Sequence, residues 1–187
     1  MKNTSEEFFK NNDGLITTFT GKAFNVIHPN INDIDILDIA HALSCLCRWN
    51  GHVQIPYSVA QHSMFVANNL KTNLTYYYSK TRYRIFLAGL LHDASEAYLS
   101  DIVRPLKLYF TQYKEIEDRL MNCIAEKFDF VYPLDSVVKR ADDYALQWEW
   151  KRFILTKDNW YLNWKFKLQH SKLIERKFLK MYYELVK

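Results

Sequence analysis

Leu91-His92-Asp93-Ala94-Ser95-Glu96 is the stretch from which the fold is read. It follows Ile85-Phe86-Leu87-Ala88-Gly89-Leu90, an apolar run that reads as a buried helix, so a histidine and two carboxylates arrive together at the end of an apolar element. Polar and charged groups in such surroundings need partners. If the helix continues through them, His92 and Glu96 stand one turn apart with Asp93 beside both, and all three look into one cavity. An adjacent His-Asp pair offers a nitrogen and an oxygen to one divalent cation.

Working upstream, Pro56-Tyr57-Ser58 opens a helix whose apolar content is Val59, Met64, Phe65 and Val66, interrupted by Gln61-His62-Ser63. Before it, Asp35 is an N-cap candidate for a helix with Ile36, Ile39, Ala40, Leu43 and Leu46 at helical spacing. That helix delivers Arg48 and Trp49 to a loop, Asn50-Gly51-His52. Two β-prone runs, 15–20 and 23–27, flank Gly21-Lys22 and predict a small hairpin over about 15–27.

Downstream come a loop with Asp101, Arg104, Pro105 and Lys107, then an amphipathic helix from about Tyr113 to Phe128. Pro133-Leu134-Asp135 starts a further helix with Val137, Val138, Ala141, Ala145 and Trp148 on one face; Asp142 sits among them and Glu149 follows two turns later. Leu162, Trp164, Phe166 and Leu168 alternate with polar residues, a pattern for one short strand, and a last helix carries Ile174, Phe178, Met181, Tyr182 and Leu185. The expectation is a mainly α fold in one domain over 1–187, with the hairpin, a helical core over about 35–156, and a C-terminal strand and helix over about 160–187.

Composition narrows the classes. With 187 residues, 49% apolar and only four glycines and four prolines, the chain suits one sizeable core of long helices. Three cysteines lack a metal-site spacing; Cys45-x-Cys47 reads as core, which favours a reducing, cytoplasmic compartment. The polar N-terminus and the lack of a membrane-length apolar run argue against a membrane partner. The net charge of +4 is uneven, +7 over residues 151–187 and −3 over the rest, and the basic tail reads as a solvated face before a nucleic-acid surface.

The order His62, His92-Asp93, Asp142, each on its own expected helix, resembles the HD-domain metal-dependent phosphohydrolases, a helical superfamily. The nearest likeness is to bacterial 5'-deoxynucleotidases and small phage and prophage phosphohydrolases. It is carried by Asp38-Ile-Ala-His-Ala-Leu-Ser44, Arg48-Trp49, Tyr57-Ser-Val-Ala-Gln-His-Ser63, His92-Asp-Ala-Ser-Glu96, Asp101 with Pro105 and Lys107, and Ala141-Asp142. It spans roughly residues 17 to 150. The resemblance implies that His62, His92, Asp93 and Asp142 hold one divalent transition metal and that Glu96 orients or deprotonates the attacking water. It implies that Arg48 holds phosphate, that Trp49 packs near the nucleotide and that Asp101 lies near the sugar.

The chemistry of the residues agrees. Two imidazoles and two carboxylates leave positions on a cation open for water and a phosphoryl oxygen. A carboxylate in reach of that water can take its proton, and a guanidinium matches a phosphate better than an ammonium does. Lys107 and His52 are further phosphate candidates. The donor set does not rank Mn, Co, Fe, Ni or Zn; His41 and Glu149 are what a second ion would have to use. The resemblance implies release of phosphate from deoxynucleoside 5'-monophosphates by a homo-oligomer. The alternatives are a deoxynucleoside triphosphate triphosphohydrolase at the same metal site and a non-catalytic nucleotide-binding regulator.

Overall fold

The computed structural model describes residues 13–73, 79–155 and 169–186. Strands β1 (Leu15–Thr17) and β2 (Ala23–Asn25) pair antiparallel, with Ile16 opposite Phe24. The turn between them uses Gly21 at φ +83°, a conformation that costs glycine least. Asp38 fastens this hairpin to the helices: one carboxylate oxygen accepts from the Thr20 amide at 2.7 Å and the other from the Thr20 hydroxyl at 3.0 Å. Phe24 is fully buried and stacks on Tyr98.

Helix α1 (Ile36–Cys45) starts where Asp35 accepts from the Leu37 amide, the expected cap. It ends before Cys47, whose backbone pairs with Ser58 and closes the loop that carries Arg48 and Trp49. In that loop Trp49 and Asn50 have φ of +60° and +49°, a left-handed conformation that a tryptophan adopts only when its surroundings impose it. Helix α2 (Val59–Asn73) begins with a reciprocal cap: the Ser58 hydroxyl accepts from the Gln61 amide, and the Gln61 side chain accepts from the Ser58 amide. The first turn of α2, which carries His62, is therefore held at its root.

The chain continues through α3 (Ser79–Leu91), the short α4 (Glu96–Leu99) and α5 (Arg104–Lys107), α6 (Thr111–Phe128), α7 (Ser136–Glu149) and α8 (Ser171–Leu185). Helix α2 is central and packs against α1, α3, α7 and α8. One apolar cluster runs through these helices from Phe24 to Phe178, with a small satellite of Tyr57 and Phe153. Asp135 caps α7 by accepting from the Val137 amide, and α7 passes into a wider π turn over Trp150–Leu155. The mainly α fold with its N-terminal hairpin is as expected. Among the described residues no helix is long and apolar enough to cross a membrane.

Two expectations are corrected. Helix α3 does not run through the His-Asp pair but stops at Leu91, and His92 to Ser95 form tight turns in which the Ala94 amide bonds to Leu91 and the Glu96 amide to Asp93. The cause is the imidazole itself, because His92 Nδ1 donates to the Gly89 carbonyl at 2.9 Å, the acceptor that a continuing helix gives to the Asp93 amide. Cys45 is exposed rather than core, while Cys47 and Cys123 are half-buried. The expected strand over 162–168 lies outside the described residues.

Candidate metal centre

Three elements converge on one point. Helix α2 supplies His62 from its first turn, the turn after α3 supplies His92 and Asp93, and the middle of α7 supplies Asp142. His62 Nε2 lies 3.1 Å from His92 Nε2 and 3.1 Å from Asp142 Oδ1. Asp93 Oδ2 is 3.1 Å from His92 Nε2 and 3.6 Å from His62 Nε2, and Asp142 Oδ1 is 3.7 Å from His92 Nε2. His62, His92 and Asp142 form the tightest donor group, within 4.8 Å of one another, with Asp93 on its border. Metal–donor bonds of about 2.1 Å set neighbouring donors about 3.0 to 3.4 Å apart, so these separations suit the edges of a coordination shell.

The proton inventory sharpens the fit. His62 Nδ1 faces Glu149 Oε1 at 2.6 Å and His92 Nδ1 faces the Gly89 carbonyl at 2.9 Å; both partners only accept, so both Nδ1 atoms carry the proton. In the neutral rings the two Nε2 lone pairs then point at each other and at two carboxylates. Such a cluster calls for positive charge at its centre, and imidazoles held from behind by an acceptor are the usual setting of metal-ligating histidines. Protons supply that charge otherwise: burial opposes a charged His92, yet Asp93 and Asp142 outweigh it and hold its pKa well above the ordinary range. Despite their own burial, Asp93 and Asp142 are held well below the usual carboxylate range by the two imidazoles. The donor chemistry therefore fits one divalent cation on His62, His92, Asp93 and Asp142.

Arg48 is almost wholly buried against this group, with Nη1 3.4 Å from Asp93 Oδ2 and Nε 3.3 Å from Glu149 Oε2. Arg104, on the exposed side, donates to Asp142 Oδ2 at 2.5 Å and to Asp143 at 3.3 Å. A cavity of about 570 Å³ opens beside Asp93 and Asp142, a volume suited to a small organic ligand. Its walls include Arg48, Trp49, Glu96, Asp101, Arg104 and Lys107, together with Leu146, Gln147 and Trp150.

Glu96 is buried at the cavity wall with Oε2 unpartnered and Oε1 3.5 Å from Lys107 Nζ. Burial first, and then the neighbouring charges of Asp93 and Asp101, push its pKa well above the carboxylate range. Lys107 is held more firmly by Glu117, at 2.7 Å.

The cavity thus gathers every expected substrate contact except His52, which is exposed and lies outside its walls. His41 is not available for a second ion here: it pairs with Glu175 at 2.9 Å and stacks on Phe19 beside a different cavity. Two further residues contact the candidate donors. Glu149, weighed only as a ligand to a second ion, instead holds His62 and Arg48; its position two turns after Asp142 was the available signal. Arg104, seen only as a loop residue, braces Asp142, and no local pattern announces that contact.

This chain is similar to the uncharacterized protein YfdR of Escherichia coli (strain K12). The two are 37% identical over 128 residues, 68% of this chain and 66% of that protein. An uncharacterized protein of Rhodobacter capsulatus is 35% identical over 125 residues, 65% of this chain and 62% of the relative. The chain thus spans just under two thirds of the length of these curated relatives. No family model matches it.

Proposed function

We propose that the chain is an HD-domain phosphohydrolase that uses one divalent metal to release phosphate from deoxynucleoside 5'-monophosphates. The observation that carries this reading is the pair of imidazole Nε2 atoms, 3.1 Å apart and flanked by Asp93 and Asp142, at the edge of a nucleotide-sized cavity. A divalent cation bound there supplies Lewis acidity toward a phosphoryl oxygen and a water acidified toward neutrality. Glu96 is the base: its unpartnered Oε2, at the wall of the cavity beside Asp93, is free to take the proton of the attacking water. Arg48 meets the phosphate at the wall it shares with Asp93, Trp49 packs against the nucleoside, Asp101 lies toward the sugar and Lys107 adds positive charge. Three free cysteines suit a cytoplasmic setting, and a homo-oligomer belongs to the same reading, checked by light scattering.

One observation favours a longer substrate. Arg104 is 57% exposed at the rim, where it can meet phosphates beyond the first, as a triphosphohydrolase acting on deoxynucleoside triphosphates would need. The deciding experiment supplies the protein and Mn or Co with deoxynucleoside mono-, di- and triphosphates and identifies the products. Inorganic phosphate from monophosphates supports the first reading, and triphosphate with free nucleoside supports the second. No turnover of any of them, with the metal bound, leaves the nucleotide-binding regulator.

A further inference from the structure

Glu149 is fully buried at the end of α7, seven residues after Asp142 on the same helix. Its two oxygens serve different partners: Oε1 accepts from His62 Nδ1 at 2.6 Å and Oε2 from Arg48 Nε at 3.3 Å. Arg48 in turn reaches Asp93 at 3.4 Å, Asp93 lies 3.1 Å from His92, and His92 lies 3.1 Å from His62. The contacts form a closed ring around the candidate metal position. Phe153, from the π turn that follows α7, packs on Tyr57, whose phenol also meets Glu149.

We propose that Glu149 is a positioning residue that fixes the proton of His62 on Nδ1, leaving Nε2 bare for a cation, while holding Arg48 against Asp93. The inference rests on the metal-centre reading for its purpose, but the hold on His62 is a separate property of the chain. Only a carboxylate satisfies both partners, because each presents an N–H and each needs its own acceptor. A glutamine of the same shape has one acceptor and one donor end. Arg48 stays protonated at any working pH, so the amide oxygen turns to its Nε and the NH₂ faces His62 Nδ1. His62 must then accept at Nδ1 and carry its proton on Nε2, where it blocks coordination.

The test is Glu149→Gln in the full chain, with two readouts besides activity. Long-range ¹⁵N correlation spectra of the histidines, recorded in alkaline buffer on chelator-treated protein, give the tautomer of His62. Cobalt(II) titration gives metal affinity, and a thermal melt checks that the variant folds. Wild type should show His62 protonated on Nδ1; Glu149→Gln should show it on Nε2, with cobalt affinity lower by about 10- to 100-fold. A variant that folds with the wild-type tautomer and wild-type affinity overturns the proposal. So does a wild-type His62 protonated on Nε2, which needs no variant at all. Wild type with the expected tautomer but no saturable cobalt uptake overturns the metal centre instead and leaves the hold of Glu149 on His62 standing.

Discussion

The two walls of the site are built on opposite terms. On the inner wall His62 and Glu149 have no exposed surface, Arg48 has little, and the polar atoms that face the site answer one another. On the outer wall Glu96 Oε2 and the Trp49 indole nitrogen are buried without a partner, and Arg104 stands half in solvent. Leaving a buried polar atom unpaired costs about 1 to 3 kcal/mol, and a ligand in the cavity can complete these two. The inner wall is closed by its own bonds, and the outer wall keeps unfilled bonding capacity facing the cavity. Substitutions on the two sides should therefore fail in different ways.

The largest effect is expected at the seam between them. His92→Ala or Asp93→Ala removes a coordinating group, so elemental analysis should find the metal gone and hydrolysis should fall to background. Unchanged metal and rate in both variants would move the site elsewhere. Next comes the outer wall: Glu96→Gln should retain the metal and lose about 10² to 10⁴ in kcat, the usual contribution of a general base. A near-native rate would remove Glu96 from the chemistry. Arg48→Lys probes the inner wall, since it keeps the charge but breaks the fork between Glu149 and Asp93. It should keep the metal and lower kcat/KM by about tenfold, as a less well-placed phosphate reacts more slowly. Native kcat/KM with a lowered melting temperature would reduce Arg48 to a brace. Smallest is Asp135→Ala, which removes the cap of α7 two turns before Asp142 and outside the cavity walls. It should cost about 1 kcal/mol in denaturant unfolding and leave kcat/KM unchanged.

Much of this arrangement was legible because it is local. Asp35 and Asp135 announce their helices by cap chemistry, the apolar spacing in α1 and α7 sets which faces are buried, and Gly21 marks the hairpin turn. The stop at Leu91 was not legible, since Ala94, Ser95 and Glu96 all tolerate a helix and the deciding event is a side chain taking a backbone acceptor. Nor was the bond between His62 and Glu149 legible, for the two stand 87 residues apart and meet only because α2 packs on α7. Cys45 followed an apolar pattern yet falls on the exposed side of the last turn of α1. The candidate donors could be picked out by residue type and order; the residues that orient them required the packing.

If His62, His92, Asp93 and Asp142 together hold one divalent cation, the chain takes up that ion with a fixed stoichiometry. Cobalt(II) titration of the chelator-treated wild-type chain, followed by visible absorption and elemental analysis, tests it most directly. Saturation is expected at one ion per chain and is expected to be lost in both His62→Ala and Asp142→Ala. No saturable uptake by the wild type, or uptake unchanged in both variants, would contradict it.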